Sequence, residues 1–275
     1  MTTRDLLLSG GLITGGLGLW AFSKHKQKAA GTIARESFKR AMEHTKKAEM
    51  AARSLNKLRS ISGNDVNIGQ MNQDLQDKGL RDNAFYFNTS DYKDLVKNLM
   101  AKKLKGAGGT VAIGDDARAL PAVAHELGHA TNQRTGRMKR SILGVLAGGG
   151  LGLATALGTG IWSRRTINPR LEDAALITGL AGLGMATADF ITNKSVYDEE
   201  AKATANAMDY LKQMKRSEKQ LAMDKEVLDA ALGTYESSKN YEPLASFGKA
   251  LALGSTGYLL SKYLAESGIN KLFAK

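Results

Sequence analysis

The chain of 275 residues carries a net charge of +12, a mean hydropathy of −0.28 and no cysteine. These averages are those of a soluble protein, but the apolar residues are concentrated in a few segments. The lack of cysteine excludes cysteine metal ligands and fits a reducing compartment. The glycines form no dinucleotide-binding or phosphate-loop pattern, which argues against nucleotide binding. Few aromatic residues are interleaved with the basic ones, so nucleic acid binding is also disfavoured.

The first 60 residues are predicted to form an anchor followed by a basic helix. Leu6 to Phe22 is an apolar run of 17 residues, at the lower limit for a membrane span. No convincing cleavage site follows it, so residues 1–23 are interpreted as an uncleaved transmembrane anchor. Residues 24–60 show helical apolar spacing, and between Lys24 and Arg59 eleven Lys or Arg stand against three Glu. This charge predicts a cytoplasmic segment, whose basic face is either solvated or in contact with anionic lipid.

A small β element is predicted before the most informative motif of the chain. Residues 60–84 are polar and rich in Gly, Asn and Asp, which indicates a loop. Ala84 to Phe87 is a short β-favouring run that could pair with a second one, Thr110 to Ile113. The second run is predicted to be an edge strand, where an extended substrate could add by main-chain hydrogen bonding.

The sequence His-Glu-Leu-Gly-His at 125–129 indicates a metal centre. Pro121 suits the first turn of a helix. On that helix His125 and His129 are four residues apart and share one face, so both imidazoles can bind one ion. Glu126 follows the first ligand and sits where it can take a proton from a metal-activated water. The alternative is a surface helix that happens to carry two histidines.

Two histidines leave a catalytic metal site one protein ligand short. The other two histidines, His25 and His44, lie in the basic segment far upstream. The third ligand is therefore predicted to be a carboxylate, and the best candidates begin a new helix at Tyr197–Ala207. Neighbouring helical residues point about 100° apart, so only one of Glu199 and Glu200 can face the metal.

A membrane hairpin is predicted between the two motifs. Ile142 to Trp162 is 21 residues without a charge, and Ala174 to Thr192 is broken only by Asp189. Pairs of small residues such as Gly144 and Gly148 suit close helix packing in lipid. Two crossings return the chain to one side, as a shared metal requires. The alternative is a buried helical hairpin in a soluble protein.

These motifs resemble those of the membrane-embedded gluzincins, which include the heat-shock membrane proteases, the CAAX prenyl proteases and the YugP-type neutral zinc metallopeptidases. The resemblance covers roughly residues 105–212. In those families a helix after the transmembrane pair starts with Glu-x-x-Ala-Asp or Glu-x-x-Ala-Ser. Glu200 and Ala203 match that pattern, and Thr204 stands at the Asp or Ser position.

The resemblance implies a membrane-bound zinc endopeptidase that hydrolyses peptides or membrane proteins by a metal-activated water. It makes His125, His129 and Glu200 the Zn²⁺ ligands and Glu126 the catalytic base, with Glu199 as the third ligand if the register is shifted by one. It also implies a mainly α membrane protein with a small β-edge element, in which a zincin-like catalytic helix pair flanks a transmembrane helical hairpin.

The remaining chain is predicted to be helical. One helix is expected over 199–238 and a tail from Pro243, where Leu244 to Leu260 is either a fourth span or an interfacial helix. The predicted segments are an anchor, a basic helix, a first peptidase half, a hairpin, a second peptidase half and a C-terminal helix, at 1–23, 24–60, 61–140, 141–193, 194–240 and 241–275. The competing hypothesis is a structural or assembly membrane protein, such as a virion component, that retains a metal-binding motif.

Overall fold

The computed structural model describes residues 3–44, 52–81, 84–88, 109–134 and 171–266. Within these ranges the protein is mainly α-helical, with one three-stranded sheet. The helices are α1 (Thr3–His44), α2 (Ala52–Ser62), α3 (Leu120–Arg134), α4 (Leu171–Gln213) and α5 (Glu218–Glu266). The strands are β1 (Val66–Gln70), β2 (Ala84–Asn88) and β3 (Gly109–Ile113).

The chain divides into two compact units. The helix unit comprises Met1–Ala29, Leu143–Ser195 and Glu236–Lys275. The sheet unit comprises Ala30–Ile142 and Val196–Tyr235, and it holds the three strands with α2 and α3. The residues of α1, α4 and α5 are shared out between the two units.

The sheet has the strand order β1–β3–β2, with β1 parallel and β2 antiparallel to β3. The predicted pairing of the two β-favouring runs is confirmed, because Ala84 lies opposite Ile113 and Phe87 opposite Thr110. The prediction of an edge strand at Thr110–Ile113 is wrong. β3 is the central strand and is buried along its whole length, so β2 is the edge strand of the described sheet on that side.

The loop predicted over residues 60–84 is also wrong in part. It contains β1, followed by a helical turn at Gln73–Leu75 and a π-helical turn at Gln76–Leu80. The apolar residues of β1 are only Val66 and Ile68, spaced by two. Its backbone hydrogen bonds to β3 supply what a weak local preference does not.

Three predicted helix boundaries differ from the structure. α1 runs from Thr3 to His44 without an end near residue 23, and α2 begins separately at Ala52. α4 is continuous from Leu171, so Glu200 lies inside a long helix and does not begin one. The helix expected over 199–238 is two helices, and Pro243 lies inside α5.

One helix is long and apolar enough to cross a membrane among the described residues. This segment is Leu6–Ser37 of α1, and only 17% of its most apolar 18-residue window is buried. The predicted span 142–162 lies outside the described residues. The predicted span 174–192 lies within α4.

Candidate metal centre

The motif helix α3 is fixed by one buried face. Its apolar residues Leu120, Val123 and Leu127 are almost fully buried in the core of the sheet unit. The same core takes side chains from β3, α2 and the sheet-unit portions of α4 and α5. The polar residues of the motif lie on another face and are half-buried. A rigid helix therefore presents the two imidazoles in a fixed orientation.

The structure brings His125, His129 and Glu200 together in one cluster. Nε2 of His125 lies 2.9 Å from Oε2 of Glu200 and 3.2 Å from Nε2 of His129. Nε2 of His129 lies 3.4 Å from the same Glu200 oxygen. Three donor atoms thus converge on one point, and such a group could hold a metal ion.

A glycine inside the motif allows α4 to approach α3. A Cβ atom on Gly128 would lie closer than 3.0 Å to the backbone of Ala203. Asn206 of α4 donates a hydrogen bond of 3.3 Å to the Gly128 carbonyl. Ala203 and Ala207 are fully buried on the facing side of α4. Close packing of small residues therefore carries Glu200 to the two histidines.

Each histidine also contacts a polar side chain of α4 through its second ring nitrogen. Oγ1 of Thr204 lies 3.2 Å from Nδ1 of His125. Oε1 of Glu199 lies 3.5 Å from Nδ1 of His129, at the long limit of a hydrogen bond, and accepts one of 2.7 Å from Asn132. Such partners fix the orientation of metal-binding imidazoles.

Glu199 and Glu200 lie on different sides of the His129 ring, as expected for neighbouring residues of a helix. The Glu199 carboxylate is buried and approaches the far side of the His129 ring, whereas Glu200 faces the converging Nε2 atoms. The buried carboxylate of Glu199 contacts both His129 and Asn132, so its removal is expected to disturb the orientation of His129.

The charges of the cluster are strongly coupled. Burial alone would raise the pKa of Glu200, but hydrogen bonds from His125 and His129 outweigh it and lower that pKa to about 2. Burial alone would lower the pKa of His129, but its contacts with Glu199 and Glu200 raise it to about 10. The carboxylates of Glu199 and Glu200 thus favour a positive charge at the His129 imidazole, which a proton supplies in the absence of a metal ion.

Glu126 lies beside the cluster but outside the donor group. Burial raises the pKa of its carboxyl group, against the opposing effect of His129 and His125. The backbone amide of Tyr86 in β2 also interacts with this carboxylate. The strand next to the motif glutamate is therefore β2, and not the Thr110–Ile113 strand.

Tyr235 of α5 is a site residue that sequence reasoning missed. Its hydroxyl interacts with Glu200, and burial together with the charges of Glu200 and Glu126 raises its pKa. The side chain is 37% exposed, so part of the ring reaches solvent. In the helix predicted over 199–238, the spacing of the apolar residues predicts that Tyr235 lies in the core. No local sequence pattern marks a tyrosine 35 residues after Glu200 as a site residue.

Tyr197 and Tyr210 follow the motif downstream and are the sequence candidates for stabilising a developing oxyanion. The Tyr210 hydroxyl lies 2.6 Å from Oγ1 of Thr131. Thr131 is two residues after His129 and so projects from the other side of α3, where Asn64 also hydrogen-bonds to it at 2.7 Å. Tyr210 therefore supports the motif helix from behind. A role for Tyr197 stays a prediction.

Comparison of the chain with protein-family models, curated proteins and solved structures gives no match. The chemistry of the cluster is therefore the ground on which a function is argued.

Proposed function

We propose that the protein is a membrane-bound, zinc-dependent endopeptidase. The observation that carries the proposal is the convergence of Nε2 of His125, Nε2 of His129 and Oε2 of Glu200 within 3.4 Å, with Glu126 beside them. Two imidazoles and one carboxylate, with a further position left for water, are a donor set of catalytic zinc sites.

The spacing of the donors supports zinc. Ligands about 2.0–2.1 Å from a tetrahedral ion lie about 3.3–3.4 Å apart. The three separations of 2.9, 3.2 and 3.4 Å are within a few tenths of an ångström of that value. When bound there, zinc supplies Lewis-acid polarisation of the scissile carbonyl and lowers the pKa of a water molecule.

The protein groups then divide the proton transfers and the charge stabilisation. Glu126 takes a proton from water as the water oxygen bonds to the carbonyl carbon. It returns that proton to the amide nitrogen as the C–N bond breaks. Tyr235 donates a hydrogen bond to the carbonyl oxygen as negative charge develops on it. The edge strand β2, next to Glu126, is where an extended peptide would add.

Membrane attachment and the side of the reaction follow from α1. Its Leu6–Ser37 segment is long and apolar, and the net charge between Lys24 and Arg59 is +8. By the positive-inside tendency this basic stretch is cytoplasmic, which places the metal centre on the cytoplasmic side. Peptides or membrane proteins near the bilayer are then the substrates, and anionic lipid is a further partner of residues 24–59.

The test is a comparison of zinc content and hydrolysis in detergent-purified protein. Glu126→Gln should keep near-stoichiometric zinc and lose at least about 10²-fold in the rate of fluorescent casein hydrolysis, because it removes proton transfer and leaves the donors. Glu218→Gln, at the exposed start of α5, is the matched control and should retain both zinc and rate.

Two results would contradict the proposal in different ways. A wild-type rate in Glu126→Gln would refute the mechanism. Stoichiometric zinc in a wild-type protein that hydrolyses neither casein nor a mixed quenched-peptide library would favour the structural or assembly protein with a metal-binding motif.

A further inference from the structure

We propose that residues 244–263 of α5 cross the membrane antiparallel to the N-terminal part of α1, so that both ends of the chain emerge on the same side. The inference rests on the membrane attachment proposed above and not on the metal chemistry. It concerns contacts within the helix unit alone.

The backbones of α1 and α5 are in direct contact at two glycines. A Cβ atom on Gly16 of α1 would lie closer than 3.0 Å to the backbone of Gly248 and Ala252 of α5. A Cβ atom on Gly248 would likewise meet the carbonyl of Gly16. Helices in lipid associate through small residues that let their backbones approach in this way.

The contacts continue along both helices in opposite directions. The Phe22 ring packs edge-on against the Tyr241 ring with centroids 5.9 Å apart. Further along α1, Lys24 pairs with Glu242 at 2.7 Å, and Gln27 donates to the same carboxylate at 2.6 Å. From Gly16 to Gln27 the contact extends about 16 Å along the helix axis.

This antiparallel contact rules out an interfacial position for α5 if α1 spans. An interfacial helix lies in the membrane plane and would cross a spanning helix at one point. Here α5 stays beside α1 from the polar group at Glu242 to Ala252. From Leu244 to Tyr263 α5 has 20 residues, or about 30 Å, which matches the hydrocarbon thickness. This segment is less apolar than Leu6–Ser37, the one described segment apolar enough to span by itself, so it would cross as the packed partner of α1.

The outward side chains of the helix unit are those that suit lipid tails. Leu253 is 72% exposed, and Leu244 and Tyr263 are also exposed on α5. Lys249 of α5 is exposed and charged, and its long stem can carry the ammonium group toward the headgroups. The exposed apolar residues of the unit on α1 and α4 are Leu6, Leu7, Leu8, Leu17, Trp20, Phe22, Leu183 and Phe190.

Within the helix unit a partly buried acid of α4 has a partner on α5. Asp189 of α4 is hydrogen-bonded by Ser246 of α5. Gly182 of α4 packs against Phe247 and Ala250 of α5. An ionisable residue within a span is expected to face a neighbouring helix and find a partner there. α5 therefore provides the polar and steric complement of the span predicted in α4.

The chain has no cysteine, so single-cysteine variants can test this arrangement directly. Thr3→Cys and Tyr263→Cys should react with a membrane-impermeant maleimide from one side of sealed vesicles. Ser217→Cys and Lys225→Cys should react from the other side. Leu253→Cys should react from neither side and only after SDS is added, although its side chain is among the most exposed of those described.

Each outcome separates the possibilities. Tyr263→Cys reacting on the side of Ser217→Cys, or rapid labelling of Leu253→Cys in intact vesicles, would overturn the α5 span while leaving membrane attachment in place. Complete extraction of the wild-type protein by alkaline carbonate would overturn both the α5 span and the proposed attachment. If Leu253→Cys prevents accumulation, Thr256→Cys replaces it, because Thr256 is also exposed on α5 and its labelling follows the same rule.

Discussion

The two units of the molecule differ in the size of the side chains that they bury: large in the sheet unit and small in the helix unit. The largest fully buried residues, among them Leu58, Leu127 and Leu211, all belong to the sheet unit. Among the described residues of the helix unit, every buried one except Tyr258 is Gly, Ala or Ser. Of the 13 large apolar side chains that are exposed among the described residues, 11 belong to the helix unit.

This difference agrees with the proposed membrane attachment, in which the sheet unit is surrounded by water and the helix unit by lipid. The sheet unit gains stability by removing large apolar side chains from water, as a soluble domain does. An exterior of Leu, Phe and Trp around an interior of small residues gives no such gain in water, but it is the pattern of helices packed in lipid. The His125, His129 and Glu200 cluster lies in the sheet unit.

The largest expected effect contrasts a leucine from each unit. Leu127→Ala should lower the free energy of unfolding by about 2–5 kcal/mol, because it leaves a cavity in the core behind the motif. Leu253→Ala removes an exposed side chain and should change it by less than about 0.5 kcal/mol. Denaturant unfolding in mild detergent, followed by circular dichroism, measures both. Equal losses of unfolding free energy in the two variants would contradict the inference that burial of large apolar side chains stabilises only the sheet unit.

The second contrast uses two carboxylates from the sheet unit and one from the helix unit. Glu200→Ala should weaken zinc binding by more than about 100-fold, since it removes a donor of the cluster. Glu199→Ala should weaken it by about 10–100-fold, through the orientation of His129. Glu242→Gln, in the ion pair with Lys24 of the helix unit, should leave it unchanged. Competition with a chromogenic zinc chelator measures all three affinities.

The Glu199 variant tests which carboxylate is the third metal ligand. A loss in Glu199→Ala larger than in Glu200→Ala would make Glu199 the donor and shift the assignment by one residue. Wild-type affinity in both variants would place the third donor elsewhere.

The parts of the fold that the sequence predicts are those with strong local or motif signals. The pairing of Ala84–Phe87 with Thr110–Ile113 follows from two β-favouring runs. The His-Glu-Leu-Gly-His spacing predicts two imidazoles on one helix face, and Glu200 of the matched second pattern lies with them in the structure. Each of these features is encoded within a few residues.

The parts that the sequence does not predict depend on contacts between distant segments. β1 exists because β3 lies beside it, and its own residues favour a loop. Tyr235 reaches Glu200 only because α5 returns to the cluster after the turn that follows α4. Thr110–Ile113 is not an edge strand, because β1 pairs with one side of β3 and β2 with the other, so that β2 lies at an edge. None of these relations has a fixed sequence spacing.

The third prediction contrasts two tyrosines of the sheet unit. Tyr235→Phe should lower kcat by about 10²-fold with little change in zinc affinity, because it removes a donor to the developing oxyanion. Tyr210→Phe should leave kcat near the wild-type value and cost about 1 kcal/mol of stability, because its hydroxyl bonds Thr131 behind α3. Steady-state kinetics with a quenched peptide separates them. A kcat loss confined to Tyr210→Phe would exchange the two roles.

The smallest expected effect concerns Thr204, which stands where the resembling families carry Asp or Ser. If Nε2 of His125 binds a cation, its Nδ1 carries the ring proton and donates a hydrogen bond to Oγ1 of Thr204, which lies 3.2 Å away. A neutral hydroxyl is a weaker acceptor than the carboxylate of Glu199, so less affinity depends on it. Thr204→Val keeps the shape of this buried side chain and should weaken zinc binding by no more than about 10-fold. Thr204→Ser retains the hydroxyl and should restore the affinity. A loss in the serine variant with wild-type affinity in the valine variant would mean that Thr204 acts through packing against α3 and not through its hydrogen bond.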